Sequence, residues 1–128
     1  MTFKGILDTG CEVGDLISGE VVSALNLWSE VEFRHEVIGT CLNGSDLRSI
    51  GTLMLRVDGR GFRKIFNTRF YIIVGESLSW QVVLGASTCA NHYLLKAGAY
   101  GSRTVQPKRS KGEVHAMKYM VHELTFLS

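Results

Sequence analysis

One acidic side chain in the sequence stands where a carboxylate could do acid–base chemistry. Asp8 follows the apolar residues Ile6 and Leu7, and Thr9 and Gly10 come directly after it. A short apolar run indicates a buried β-strand, and Asp, Thr and Gly in succession are typical of a tight turn. A strand that ends in such a turn would hold the Asp8 carboxylate where it can accept or donate a proton. The triplet occurs once in the chain.

A second stretch has the pattern of a strand that ends at a glycine. Val82, Val83 and Leu84 are apolar, Gly85 follows them, and a helix is predicted over residues 88–95. A glycine in or beside a strand often marks a place where another segment of backbone approaches closely. The sequence therefore predicts a short strand that ends at a close backbone contact.

Local patterns between these two motifs predict a short helix and a strand. The helix is indicated by Ser18 as the N-cap, by helical spacing of apolar residues over 20–25 and by Asn26 as a left-handed C-cap. From residue 31 the apolar period changes to two, as in a half-buried antiparallel strand. The residues expected on its inward face are Val31, Phe33, His35 and Val37.

Two dipeptides predict tight turns between antiparallel strands. Asn43-Gly44 is a strong hairpin signal, because both central residues of the favoured turn need positive φ, and Asp58-Gly59 predicts a second hairpin. The strands around these turns are expected at residues 47–57, 62–66 and 70–74. Together they predict an antiparallel meander without a crossover helix.

Composition and charge indicate a small all-β domain. The chain has 128 residues, of which 45% are hydrophobic, with 14 glycines and one proline, and this favours a single domain of strands and tight turns. The net charge of +2 favours no nucleic-acid partner. No apolar run reaches the length of a membrane helix, so we expect no membrane association. Cys11, Cys41 and Cys89 form neither a disulfide framework nor a zinc site, which favours an intracellular, cytoplasmic location.

Residues 98–128 are predicted to form a linker followed by an amphipathic helix. Pro107 and the basic residues near it indicate an exposed linker. His115 and His122 would lie on one face of the helix without a third ligand at a suitable spacing, so we interpret both as solvated. The helix itself is indicated by the spacing of Val114, Met117, Val121 and Leu124.

Taken in order along the chain, these motifs resemble a known family. The order is Asp8-Thr9-Gly10, a helix, paired strands around Asn43-Gly44-Ser45, a strand rich in Phe and Tyr, and Val83-Leu84-Gly85 before a second helix. It is similar to that of the retropepsin-like aspartic proteases of retroviruses and LTR retrotransposons. The resemblance covers residues 3–97 and implies a small closed all-β barrel with one or two short helices, active as a two-fold homodimer. It implies an aspartic endopeptidase that cleaves the peptide bonds of a polyprotein.

The resemblance also implies a role for each matching residue. Asp8 of each subunit would be catalytic, and one water would be activated between the two Asp8 carboxylates of the homodimer, without a metal or cofactor. Thr9 would lie beneath the two carboxylates and bond across the two-fold axis, and Gly10 would present its backbone to a polypeptide substrate. The implied substrate-binding residues, of which the first four form the tip of a flap, are Leu42, Asn43, Gly44, Ser45, Val83, Leu84 and Gly85.

Three features differ from that family. Only seven residues precede Asp8, whereas retropepsins usually carry a further hairpin there, so a piece of the barrel is expected to be missing. Ala86 and Ser87 follow Gly85 where family members tend to have Arg or Asp, and Gln81 stands where retrotransposon relatives often have Asp. These differences leave an alternative open, a retropepsin-like binding and dimerisation module without catalysis.

Overall fold

Strands make up most of the computed structural model, which describes residues 1–40, 44–75, 80–94 and 119–127. In chain order the elements are β1 (Thr2–Asp8), β2 (Asp15–Ser18), α1 (Gly19–Leu25), a 3-10 turn (Trp28–Glu30), β3 (Glu32–Thr40), β4 (Asp46–Gly59), β5 (Phe66–Ile73), β6 (Val82–Leu84), α2 (Ala86–Asn91) and β7 (Tyr119–Leu127). The prediction of a mostly β chain with short helices is confirmed. Within the described ranges, no helix is long and apolar enough to span a bilayer.

The strands form one sheet that closes on itself. Their order is β3-β4-β5-β2-β6-β1-β7, and β4 also pairs with β7, so every strand except β3 belongs to a closed ring. The predicted antiparallel meander is correct for β3, β4 and β5. Outside the stretch for which it was predicted, β1 pairs in parallel with β6, and β2 pairs in parallel with β5. Parallel neighbours are joined by long connections, which local hairpin signals do not reveal.

Apolar side chains on the inward face of the ring form the main core. On β4 burial alternates with a period of two, so that Leu53, Leu55 and Val57 are buried and the residues between them are not. Burial of each such side chain contributes roughly 1.5–3 kcal/mol. Other strands supply the largest fully buried side chains of this core, which include Leu7, Ile17, Phe70, Ile72, Leu84 and Leu124.

Helix α1 has the caps that the sequence predicts. The Ser18 hydroxyl accepts a hydrogen bond from the Val21 N–H at 3.3 Å, which satisfies one of the free donors of the first turn. Asn26 ends the helix in the left-handed conformation, with φ 56° and ψ 46°. Both caps act within a few residues, so the local sequence was enough to predict them.

The strand predicted at residues 62–66 is wrong. Residues 60–65 connect β4 to β5, and the N–H of Phe62 donates to the carbonyl oxygen of Gly59 at 3.0 Å. Pairing with β4 begins only at Phe66, opposite Val57. The apolar residues of this stretch therefore belong to a longer turn than Asp58-Gly59 alone predicts.

Strand β3 is not half-buried as its alternating pattern predicts. Phe33 is 60% exposed and Val37 is 49% exposed, because β3 lies outside the closed ring. Its residue Ile38, which packs against a smaller buried cluster, is not on the predicted inward face. Phe33 instead stacks on Trp28, with ring centroids 6.1 Å apart. Two register shifts, before Glu36 and before Gly39, also interrupt the alternation.

Residues 119–127 form a strand, so the predicted amphipathic C-terminal helix is wrong there. β7 pairs antiparallel with the whole of β1, from Thr2↔Thr125 to Asp8↔Tyr119, and also with the end of β4. It fills a position in the ring next to the strand that carries Asp8, where a piece of the barrel was expected to be missing. The remainder of the predicted linker and helix, residues 98–118, lies outside the described residues.

The burial pattern of β7 explains the error. Val121 and Glu123 are on the more exposed side, while His122 and Leu124 are buried, and this is the period of a strand. The spacing from Val121 to Leu124 also fits one turn of a helix, so periodicity alone does not separate the two structures over so short a segment. These residues form a strand and not a helix because they pair with two distant strands, β1 and β4.

His122 is buried and not solvated as the sequence predicts. Its side chain is 6% exposed, it lies opposite Gly5 of β1, and its ring centroid is 5.5 Å from that of Phe62. Burial disfavours the charged imidazole and lowers the pKa of His122 from its ordinary value of 6.5. The unfolded chain therefore binds this proton more readily than the folded one, and the folded state loses stability as the pH falls below 6.5.

We expect His122→Gln to make the free energy of unfolding less dependent on pH below 6.5. The wild-type histidine contributes a loss of up to about 1.4 kcal/mol per pH unit between 6.5 and its lower folded pKa, and glutamine does not titrate. Urea unfolding at pH 7, 6 and 5 measures this slope. Identical slopes for the wild type and His122→Gln would contradict the assignment to His122.

Candidate active site

Asp8 sits in the tight turn that the sequence predicts at the end of β1. Its Oδ1 accepts the N–H of Gly10 at 2.8 Å, and its carbonyl oxygen accepts the N–H of Cys11 at 3.1 Å. Asp8 is half-buried, while Thr9 and Gly10 are exposed. The turn therefore fixes one carboxylate at the surface and leaves the other carboxylate oxygen for a partner or a reactant.

Gly85 lies directly against this turn. β6 runs parallel to β1 with Leu84 opposite Leu7, and the N–H of Ala86 donates to the carbonyl oxygen of Cys11 at 2.8 Å. A Cβ atom added to Gly85 would lie 2.4 Å from the carbonyl oxygen of Gly14. The close backbone contact predicted for this glycine is confirmed. Through it, the segment around Gly85 packs against the loop that follows Asp8.

The sequence analysis missed Asp15, a second carboxylate close to the turn. Asp15 begins β2 and is 4% exposed. Its side chain accepts hydrogen bonds from the Gly85 N–H at 2.8 Å, from the Thr68 hydroxyl at 2.5 Å and from the Thr88 hydroxyl at 2.6 Å. The sequence did carry one sign of it: an acidic residue stands directly before the apolar residues Leu16 and Ile17. A carboxylate buried at such a position needs several hydrogen-bond donors from the rest of the chain.

An apolar strip crosses the sheet on the face that carries the Asp8 side chain. Directly paired residues of neighbouring strands lie on one face, as do residues two apart on one strand, so Ile6 shares the face of Asp8. The paired row that passes through Ile6, here called the apolar strip, consists of Val121, Ile6, Val83, Leu16 and Tyr71. It is separate from the main core, because Ile6, Leu16 and Val83 belong to a second cluster with Ile73.

The β3–β4 hairpin covers the apolar strip. Ile38 of β3 and Leu47 of β4 pack against the second cluster, together with Val13 from the loop after the Asp8 turn. A Cβ added to Gly39 would lie 2.7 Å from a methyl group of Val13. The half-buried carboxylate thus lies two residues along β1 from Ile6, beside an apolar surface that the two-stranded arm partly covers.

The predicted substrate-binding residues lie in four places. Val83 belongs to the apolar strip, whereas the side chain of Leu84 is fully buried in the main core on the inner face of the ring. Gly85 contributes backbone contacts to the turn. The remaining residues lie at the hairpin tip, where Leu42 and Asn43 are outside the described residues and Gly44 and Ser45 are exposed.

Gly44 has the backbone conformation that the hairpin prediction requires. Its φ is +86°, and a Cβ added there would meet no atom within 4 Å. The two strands that lead into the tip pair from Thr40 opposite Asp46 onward. Gly44 therefore matters for the shape of the tip and not for packing.

Gly44→Val is expected to reduce turnover more than stability. A β-branched residue at positive φ costs about 1–2 kcal/mol, and an exposed tip can relax, so we expect a loss of unfolding free energy of at most this size. If the tip closes over a substrate, a change of shape should lower kcat/KM by about a hundredfold, which corresponds to about 2.7 kcal/mol. Unfolding and peptide cleavage measured on the same preparation decide this, and an unfolded variant would identify Gly44 as a core position.

Two cysteine thiols near the turn are poor nucleophiles. Cys11 is half-buried and donates from Sγ to the carbonyl oxygen of Gly14 at 3.3 Å, and burial raises the pKa of its thiol. Cys89 is buried in the main core, and burial raises the pKa of its thiol to about 12. Because the thiolate is the reactive form, neither side chain is suited to nucleophilic catalysis near neutral pH.

The arrangement therefore offers one accessible carboxylate per chain beside an apolar surface. In the described ranges, no group of three or more His, Cys, Asp or Glu side chains is placed to hold a metal ion. Comparison of the chain with protein-family models, curated proteins and solved structures gave no match.

Proposed function

We propose that the protein is an aspartic endopeptidase of the retroviral and retrotransposon type that acts as a homodimer. The observation that carries the proposal is the Asp8 turn held against Gly85 beside the apolar strip. Two distant segments of the chain, residues 8–14 and 82–86, meet there, and they are the two segments on which the resemblance to retropepsins rests. A chance Asp-Thr-Gly turn would have no reason to contact the second motif.

The reaction requires two Asp8 carboxylates, one from each subunit. One carboxylate takes a proton from a water molecule, and the resulting nucleophile attacks the carbonyl carbon of the scissile peptide bond. The other Asp8, which is protonated, donates its proton to the carbonyl oxygen. The C–N bond then breaks as the first Asp8 passes the proton it took from water to the amide nitrogen, and the second Asp8 takes back the proton of the hydroxyl group. Two carboxylates a few ångströms apart do not both ionise, so the pair shares one proton, and the activity should be highest on the acid side of neutrality.

The apolar strip supports a polypeptide substrate with apolar side chains at the cleaved bond. Ile38 and Leu47 of the β3–β4 hairpin cover the strip in the free protein. When the hairpin lifts, substrate side chains would replace these contacts and remove a similar apolar area from water. The polar tip around Gly44 and Ser45 would then close over the peptide backbone.

The test is to measure cleavage and assembly on the same protein. A peptide library with apolar junctions, incubated between pH 4 and 6, should be cleaved slowly and be protected by a statine-type inhibitor, whose hydroxyl mimics the tetrahedral state. Sedimentation velocity should show a dimer in the active preparation. A strictly monomeric protein that cleaves the library would refute the two-carboxylate mechanism, and a dimer that binds the peptides without cleaving them would favour the alternative, a non-catalytic binding and dimerisation module.

A further inference from the structure

Asp15 is a buried carboxylate that the proposed peptidase chemistry does not use. Its three hydrogen bonds come from separate parts of the chain, namely Thr68 on β5, Gly85 after β6 and Thr88 in α2. A carboxylate only accepts hydrogen bonds, so two hydroxyls and one N–H suit it. Gly85 is the N-cap of α2 and has no side chain to satisfy the helix. Asp15 therefore supplies from another strand the acceptor that this end of α2 lacks.

Gly85, one of the residues that bond to Asp15, also lies against the loop that follows Asp8. Asp15 directly follows Gly14, whose carbonyl oxygen would be 2.4 Å from a Cβ on Gly85. The next residue, Ala86, donates its N–H to the carbonyl oxygen of Cys11 in the same loop. Any movement of Gly85 away from Asp15 would therefore separate residues 85 and 86 from the loop that follows Asp8.

We propose that Asp15 is a positioning residue that holds the Asp8 turn against Gly85 and the start of α2. Its effect on catalysis rests on the proposed peptidase function, whereas its effect on the turn does not. Asp15 is buried and accepts bonds only from the protein, so it acts through the backbone and touches no substrate. Reactive groups must be held to about 0.5 Å, and a misplacement of about 1 Å costs up to about a hundredfold in rate.

Asp15→Ala is expected to loosen the turn in a protein that is still folded. The Cys11 thiol reports this directly, because it is half-buried in the same loop and donates to Gly14. Labelling with a thiol reagent, followed by mass spectrometry of the Cys11 peptide, should become at least tenfold faster, and the Gly85 amide should lose protection from hydrogen exchange. In an active dimer, kcat should fall at least tenfold while KM changes less than twofold.

Two further variants separate positioning from general destabilisation. Asp15→Asn keeps an oxygen for the Gly85 N–H and offers an amide N–H₂ to hydroxyls that can also accept, so it should restore kcat and the labelling rate to within about threefold of wild type. Val57→Ala removes volume from the main core on β4, without touching the Asp15 bonds, and should lower the free energy of unfolding by about 0.5–1.5 kcal/mol or more. Below its unfolding transition it should keep the wild-type labelling rate at Cys11.

The outcomes decide the proposal whether or not the protein is a peptidase. Wild-type labelling and amide protection in folded Asp15→Ala would overturn it, as would equal acceleration of labelling by Val57→Ala. Faster labelling with an unchanged kcat in an active dimer would show that Asp15 holds the turn but would overturn its proposed effect on catalysis. If the wild type cleaves no peptide, the proposed function is refuted, and the thiol and amide measurements still decide whether Asp15 holds the turn.

Discussion

Asp8→Asn is expected to abolish peptide cleavage and leave the fold and the dimer unchanged. Asparagine has the shape of aspartate, and its amide oxygen can still accept the N–H of Gly10, which now bonds to the Asp8 Oδ1 at 2.8 Å. It cannot take a proton from water or share one with the second subunit. Proton transfer by a positioned group contributes about 10²–10⁴-fold, and both subunits lose it, so we expect kcat/KM between pH 4 and 6 to fall by at least about a thousandfold.

The chain offers a matched control for this variant. Asp58 also accepts the N–H of a nearby glycine, with its Oδ1 2.9 Å from the nitrogen of Gly59, but it lies at the far end of β4, opposite Thr125 of β7. Asp58→Asn should therefore keep the wild-type rate. Equal rates for wild type and Asp8→Asn would mean that another protein or another mechanism cleaves the peptide, and sedimentation of each variant confirms that the dimer is retained.

Gly85→Ala is expected to be the most destabilising single methyl addition near the site. The new Cβ would lie 2.4 Å from the carbonyl oxygen of Gly14 and 2.8 Å from that of Cys11. Both obstacles are backbone atoms, so the loop has to move as a unit, and the Gly85 N–H bond to Asp15 has to stretch with it. Overpacking typically costs about 1–3 kcal/mol, and we expect about 3 kcal/mol because the neighbours are rigid. A domain of this kind has only about 5–15 kcal/mol in total.

The measurement is the urea midpoint of Gly85→Ala against that of Gly75→Ala. Gly75 has φ +79°, and a Cβ added there would meet no heavy atom within 4 Å, so only the backbone conformation penalises alanine at this position, by about 1–2 kcal/mol. Gly85→Ala should lose clearly more stability and also lose cleavage activity. A smaller loss at Gly85 than at Gly75 would show that the loop yields easily and that the contact does not hold the Asp8 turn.

The acid pH of the proposed reaction and the burial of His122 act in opposite directions. Peptide cleavage is expected between pH 4 and 6, and the lowered pKa of His122 makes the fold less stable in this range than at pH 7. The observed rate would then reflect both catalysis and the folded fraction. Rates should accordingly be divided by the folded fraction measured at each pH, and His122→Gln should extend the active range on the acid side.

The sequence by itself determined the features that depend on neighbouring residues. The caps of α1 at Ser18 and Asn26, the turn at Asp8 and the positive φ of Gly44 all follow from side chains and backbone within a few positions. Gly85 also belongs to this group, since a glycine after an apolar run already indicates a close backbone contact. These features include the proposed catalytic residue, Asp8, and Gly85, which lies against the loop that follows it.

The tertiary structure decided the features that depend on distant strands. Whether Val121 and Leu124 lie on a helix or a strand was settled by pairing of β7 with β1 and β4, and whether Phe33 is buried was settled by the position of β3 outside the ring. Asp15 was missed for the same reason, because its hydrogen-bond donors are 53, 70 and 73 residues away. A short sequence pattern indicates which secondary structure a segment favours. The hydrogen-bond partners of a buried carboxylate or of a strand edge come from distant segments, which meet it only when the strands close into the ring.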